Sequence, residues 1–284
     1  MEAVLITNPA SGSYNKKKIE EILNRLRAGG VSVDLCETEY RGMGTEIARD
    51  TCLKRPGTTV IACGGDGTIN EALNGLVQGA TMGIIPMGSA NVLAKEVGVR
   101  TVDKAVEAII KGRTRKMSIG LLRRDGQNDH RFMLMAGIGA DGKVTKEVNL
   151  EEKKVIGNGA YVLTAIRTLI KWDDSLVDLL VDGKPMRCHT AVVCNASKYG
   201  GSFVLAPGAS VFEPEFKVVY STTGRRWATL GIFIGAVAGL KTKNIIPAQE
   251  VEFIGRKPVQ IDGDFFDYSP MKVSILPDFC NIVC

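Results

Sequence analysis

Histidine is nearly missing from this chain: His130 and His189 are the only two in 284 residues. A His-centred catalytic triad or a His-rich metal site needs more imidazole than that. The seven cysteines (36, 52, 63, 188, 194, 280 and 284) form no C-x-x-C pair, and four lie inside apolar, strand-like runs. They read as small buried hydrophobes in a reducing compartment, not as a disulfide frame. No G-x-x-x-x-G-K-[ST] is present, which excludes a Walker-type phosphate loop. The longest apolar run, 227-WATLGIFIGAVAGL-240, falls short of the roughly 20 residues that span a bilayer. The opening MEAVLITNPASG has no basic leader region. A cytoplasmic location with at most peripheral membrane contact is expected. The net charge of +5 admits an anionic substrate or a membrane surface but is too weak to argue for nucleic acid.

What is present is ordinary globular composition, 45% hydrophobic and 24% charged, in a chain long enough for two domains. Over the first 120 residues, apolar runs at 3–7, 31–36, 58–63 and 82–86 alternate with helical patterns at 16–28, 44–54, 69–78, 89–97 and 102–111. Short buried strands separated by helices predict an α/β, three-layer, doubly wound parallel sheet. Beyond about residue 115, strand patterns dominate at 117–123, 131–138, 176–181, 188–195, 217–221, 250–254, 258–262 and 271–276. Only 154–171 and 226–240 read as helices there. Turn sequences such as 182-DGKP-185 indicate antiparallel pairing. The expected domains are 1–118, an α/β nucleotide-binding domain, and 119–284, a β-rich, sandwich-like substrate domain.

Glycine is concentrated where strands should turn into helices. In 59-TVIACGGDGTINEALNGL-76 an apolar strand runs into Gly64, Gly65, Asp66, Gly67 and Thr68. Ligands of doubly wound sheets bind outside the carboxyl ends of the strands, where glycine lets backbone amides approach. A helix beginning near Ile69 would offer unpaired N–H groups and a partial positive charge to a phosphate. Thr68 is placed to act as its N-cap, with Glu71 at capping-box spacing. Asp66 would repel a phosphate unless it holds a cation, so water-bridged Mg²⁺ is the economical explanation. An Asp capping its own turn is the plain alternative. The other strand ends add 8-NPASGS-13, with Asn8, Ser11 and Gly12, then 37-ETEYRGMG-44, and 86-PMGSAN-91, where Gly88 and Ser89 open another helix. A formal G-x-G-x-x-G, 137-GIGADG-142, lies in the β-rich half, and Glu151 and Glu152 are too near to serve as the ribose acid expected about 20 positions on, so it reads as a glycine turn facing the interdomain region and not a dinucleotide site.

Taken together, 8-NPASG-12, 64-GGDGTINEALNGL-76 and 86-PMGSANVLAKEVG-98 resemble the diacylglycerol kinase catalytic family. The soluble bacterial lipid kinases related to diacylglycerol, sphingosine and ceramide kinases are the more similar branch. The resemblance continues through 132–144, 156–170, 199–219 and 259–264. It implies ATP bound between two domains, Mg²⁺, and phosphoryl transfer to the hydroxyl of a lipid substrate at the membrane surface. Family nucleotide contacts fall on Asn8, Thr38, Gly64, Gly65, Asp66, Gly67, Thr68, Ile69, Asn70 and Ser89, the last where Thr is usual. The family's general base falls on Asp264 in 261-IDGDFF-266, where Glu is usual; a carboxylate there could take the proton of a lipid hydroxyl. A structural magnesium site of some relatives falls on 210-SVFEPEF-216, with the side chain of Glu213 and the carbonyls of Ser210 and Glu215 as ligands.

The departures count too. Val92 and Ser118 stand where the family commonly has acidic residues, and Asp264 is one methylene shorter than Glu. Two other readings therefore stay open: an NAD kinase-like phosphotransferase, since GGDGT is shared, or a nucleotide- or lipid-binding relative without catalysis.

Overall fold

In the computed structural model of the chain, all residues are described except 148–174, 202, 224–230, 232–234 and 236–241. The helix expected over 154–171 and, apart from residues 231 and 235, that over 226–240 lie outside the described residues. The chain divides into two compact units: Met1–Ser118 with Pro277–Cys284, and Ile119–Leu276.

The first unit runs β1 (Glu2–Thr7), α1 (Lys16–Ala28), β2 (Ser32–Glu37), α2 (Met43–Lys54), β3 (Thr59–Gly64), α3 (Asp66–Gly75), β4 (Thr81–Pro86), α4 (Val92–Glu96), α5 (Val102–Lys111) and the first part of β5 (Thr114–Arg123). The strands are parallel in the order β2-β1-β3-β4. Every residue of β3 is buried, as are all but the first of β1 and of β4, whose first residue, Thr81, is half-buried. Successive side chains of a strand point to opposite faces, so both faces of this sheet are covered. On one set of helices, α1 buries Ile19, Ile22, Leu23 and Leu26, a helical stripe, and packs against α5. Asn15 caps α1 by accepting from Lys18 N at 3.0 Å, and Thr101 caps α5 by accepting from Lys104 N at 3.3 Å.

The second set is α2 and α3, which approach until only glycine fits. A Cβ on Gly75 would lie 2.1 Å from the Thr45 carbonyl oxygen, and one on Gly44 would lie 2.9 Å from Glu71 Oε2. Thr45 Oγ1 donates to the Glu71 carbonyl at 2.8 Å across the same contact. Two expectations change here. Helix α3 starts at Asp66, not near Ile69, with Gly65 as an N-cap that makes no side-chain cap bond. Thr68 therefore lies inside the first turn and does not cap it; its side chain sits over Gly64, and Glu71 packs toward α2 instead of closing a capping box.

The second unit continues from β5 with β6 (His130–Phe132), β7 (Met135–Gly139), α6 (Ala140–Glu147), β8 (Val177–Val181), β9 (Lys184–Cys188), β10 (Thr190–Cys194), β11 (Lys198–Tyr199), β12 (Phe203–Val204), β13 (Phe216–Ser221), β14 (Ile245–Ala248), β15 (Glu250–Ile254), β16 (Pro258–Ile261), β17 (Asp264–Tyr268) and β18 (Met271–Val283). One antiparallel sheet has the order β14-β13-β10-β7-β16-β17; in a second set, β15 pairs with both β8 and β18, and β9 flanks β8. Leu179, Val251, Phe253 and Val273 from the second set meet Ile138, Val193, Phe216, Val218 and Val259 from the first in one core. This is the β-sandwich-like half that the strand-rich pattern predicts.

The last residues, Pro277–Cys284, join the first unit and not the β-rich one, because Asn281 and Ile282 of β18 pair in parallel with Thr81 and Met82 of β4. The single strand expected over 131–138 is two strands, broken at Met133 and Leu134. All seven cysteines are free thiols.

Gly75→Ala is expected to lower stability by about 1–3 kcal/mol, since overpacking a tight helix contact forces the backbone to shift. Urea denaturation measures it; an unchanged midpoint would mean that α2 and α3 separate at no cost.

Candidate functional site

Strand register brings the carboxyl ends of the first unit to one edge. Thr7 of β1 pairs with Glu37 of β2 and with Cys63 of β3, and Gly64 of β3 pairs with Pro86 of β4. The loops after these strands carry most of the nucleotide-contact residues expected from sequence. Asn8 Oδ1 accepts from Ala10 N at 2.9 Å, folding the 8–11 turn on itself. Thr38 is buried, and its N–H donates to the Thr7 carbonyl at 2.9 Å. Ile69 is fully buried in the core, so only its backbone is available to a ligand. Ser89 is exposed, while Ser11 and Asn70 are half-buried.

The loops after β3 and β4 touch through glycine. A Cβ on Gly88 would stand 2.5 Å from the Gly65 Cα. Met87 N donates to the Gly64 carbonyl at 2.9 Å. Gly88 and Ser89 do not open a helix as expected. Gly88 N donates to Asn91 Oδ1 at 2.9 Å and Asn91 Nδ2 donates to the Gly88 carbonyl at 2.6 Å; these bonds close a turn with Asn91 in the left-handed region at φ 47°. Helix α4 therefore starts only at Val92. Asn91 was not picked out from sequence, although an Asn after small residues is a turn signal.

Asp66 closes this arrangement. Its carboxylate accepts from Val92 N at 3.2 Å and Leu93 N at 3.3 Å, and the Asn91 amide adds a further bond. It thus answers the orphan amides of α4, a neighbouring helix, instead of capping its own turn. Burial raises the Asp66 pKa, and the amide bonds and the nearby Lys95 pull it back. Lys18 of α1 acts similarly on Cys63, whose thiol burial pushes up to about 12. Two cations, Lys18 and Lys95, thus bear on this edge.

Two glycines at the edge have neither a packing nor a conformational reason. A Cβ on Gly12 or on Gly67 would meet nothing within 4 Å among the described residues, and neither has a positive φ. Gly67 sits in the first turn of α3, where glycine costs about 1 kcal/mol relative to alanine. Both leave room for a group that approaches the backbone closely.

In the second unit, Asp262 and Gly263 form the hairpin turn between β16 and β17 with φ of 51° and 90°. The Asp262 carboxylate accepts from the N–H groups of Met133, Leu134 and Met135 at 3.0, 2.8 and 3.0 Å. Those bonds are why the strand over 131–138 breaks. Asp262 is an anchor, not a solvated turn acid, and Asp264, two residues on, is exposed at the start of β17. The G-x-G-x-x-G segment is a packing device: β7 lies between antiparallel β10 and β16, and a Cβ on Gly142 would lie 2.0 Å from the Pro258 carbonyl oxygen. Glu213 is exposed, its N–H donates to the Ser210 carbonyl at 2.9 Å, and the Glu215 carboxylate pairs with Lys217. Among the described residues no group of three or more His, Cys, Asp or Glu could hold a metal ion. Of the positions where acids are absent, Val92 and Ser118 are both buried, and Ser118 Oγ accepts from Asp278 N at 3.3 Å.

Residues 2–122 match the diacylglycerol kinase catalytic domain, and residues 135–284 match the YegS C-terminal NAD kinase beta sandwich-like domain. The diacylglycerol kinase of Bacillus subtilis is 31% identical over 225 residues, covering 76% of this chain and 72% of that protein. The crystal structure of a diacylglycerol kinase from Bacillus anthracis superposes with a TM-score of 0.78 at 22% identity, covering 99% of this chain and 96% of that one. An NAD kinase from Archaeoglobus fulgidus in complex with ATP gives a TM-score of 0.52 at 18% identity, covering 100% and 94%. At these identities the two structures establish the fold alone.

The raised pKa of Asp66 sets a pH dependence with a definite sign. The folded protein keeps the proton where the unfolded chain, with a pKa of about 3.9, has already released it. Wild-type stability minus that of Asp66→Asn should fall as pH rises from about 4 to the folded pKa and stay level above it. Urea denaturation at stepped pH tests this; a difference that grows with pH would mean the amide bonds outweigh burial.

Proposed function

The chain belongs to the diacylglycerol kinase catalytic domain family, with a kinase catalytic domain followed by a β-sandwich-like domain, and on that premise we propose that it transfers the γ-phosphate of ATP to a lipid hydroxyl. The observation that carries the reading is the pair Gly12 and Gly67, which keep the carboxyl edge of the parallel strands open where phosphates bind such sheets. Asn8, Ser11, Thr38, Gly64, Gly65, Thr68, Asn70, Gly88 and Ser89 would border the nucleotide, and Lys18 and Lys95 favour an anion there. Phosphoryl transfer needs positioning and charge neutralisation more than covalent help, which suits a site built from backbone and turn residues.

Mg²⁺ would supply charge neutralisation on the phosphates. Asp66 already accepts backbone amides and Val92 is apolar, so the residues present fit an ion held by phosphate oxygens and water with one protein carboxylate. Glu213, with the carbonyls of Ser210 and Glu215, is a proposed second cation position. Asp264 is the proposed general base: exposed and on a fixed hairpin, it would accept the hydroxyl proton as the bond to phosphorus forms.

The burial of uncharged Val92 and Ser118 favours one other reading, a nucleotide- or lipid-binding relative without turnover. Incubation with γ-labelled ATP, Mg²⁺ and mixed membrane lipids separates the two: label should enter the organic phase. Asp264→Asn should lower kcat by roughly 100- to 10,000-fold, and Asp264→Glu should retain activity. No label with any acceptor, while ATP still binds, would leave the binding protein standing.

Gly67→Ala should weaken ATP binding by titration calorimetry and leave stability unchanged or raise it by up to about 1 kcal/mol. Unaltered affinity would remove the main support for a nucleotide at this edge.

A further inference from the structure

The buried carboxylate of Asp141 belongs to none of the roles above. It is 2% exposed, at the start of α6, and α6 packs on β7, β10, β16 and β17. Tyr199 Oη donates to its Oδ1 at 2.6 Å and Gln260 Nε2 donates to its Oδ2 at 2.8 Å. Burial raises its pKa, and these two bonds oppose the rise. An ionisable group this deep is costly unless its partners are fixed, so the arrangement is specified.

The chemistry of Gln260 carries the connection further. A backbone N–H can only donate, so the amide oxygen of Gln260 must face Gly263 and its nitrogen must face Asp141. That oxygen accepts from Gly263 N at 2.8 Å. Gly263 is the second turn residue of the β16–β17 hairpin, and the next residue is Asp264. The hairpin also carries a register shift between Val259 and Gln260, which bends the strand pair at the point where Gln260 enters the network. Glycine clears the way: a Cβ on Gly137 would lie 1.7 Å from Asp141 Oδ2 and 2.9 Å from Gln260 Nε2.

We propose that Asp141, acting through Gln260, is a positioning residue that fixes the hairpin turn and so aims Asp264 at the acceptor hydroxyl. This rests on the reading of Asp264 as the general base. Asp262, bonded to the amides of residues 133–135, holds one side of the turn; the Asp141–Gln260 pair holds the other. A base displaced by about 1 Å can cost on the order of 100-fold in rate, and the network acts on that scale.

The test is a double-mutant cycle on lipid phosphorylation with the full chain. Gln260→Met, close in shape but without an amide, should lower kcat roughly 10- to 100-fold while KM for ATP stays within about 2-fold. Asp141→Asn should lower kcat in the same sense. In the Asp264→Asn background, Gln260→Met should cost nothing further, because its effect runs through that side chain. A full additional loss in that background, or a change in KM with kcat intact, overturns the positioning role while leaving the base in place. If Asp264→Asn alone keeps wild-type kcat, the base reading fails and this inference falls with it. Amide hydrogen exchange at Gly263 gives a readout independent of turnover: faster exchange in folded Gln260→Met supports the turn contact, and unchanged exchange overturns it. Should Gln260→Met fail to fold, Asp141→Asn carries the same cycle.

Discussion

Backbone amides left over where helices begin and strands break must find acceptors, and in this protein acidic side chains from distant sequence supply them. Asp66 answers the amides at the start of α4, Asp262 those of Met133 to Met135, and Asp182 those of Gln249 and Glu250 at 3.0 and 2.9 Å. Each of these acids sits in or beside a glycine turn. Asp182 and Asp262 adopt left-handed backbone at φ 47° and 51°, a region Asp tolerates better than most residues. The turns are therefore clamps that fix the positions of neighbouring segments, including those that carry the candidate functional groups.

This double use of acids explains what could and could not be read from the sequence. The alternation of buried strands and amphipathic helices in the first 120 residues was legible, because periodicity reports which faces are covered; α5 falls at 102–111, as its pattern indicates. The strand-rich second half was legible in kind. The I-D-G-D turn was visible as a turn and the family resemblance picked out Asp264, but nothing in the residues themselves told the two acids apart. Only the fold separates them, turning Asp262 inward to three amides and leaving Asp264 exposed. The break in the strand over 131–138 was invisible for the same reason: its cause lies at residue 262.

The helix starts near the glycine loops were misplaced by local rules. Thr68 followed by Glu71 satisfies a capping box on paper, yet α3 begins at Asp66 because the glycine loop needs no side-chain cap. Likewise G-I-G-A-D-G satisfies a dinucleotide pattern, while its glycines answer steric demands from Asp141 and Pro258. Spacing motifs record where close approach occurs. They do not say whether a ligand or the protein itself makes that approach.

The pairing of Asn281 and Ile282 with β4 has a consequence for how the polypeptide is made. The partner strand for β4 leaves the ribosome only after the whole β-rich unit has been synthesised, so the earlier unit waits with an incomplete edge. Vectorial synthesis therefore cannot finish the two halves one after the other, and loss of Asn281 and Ile282 would be felt at a strand laid down some 200 residues earlier.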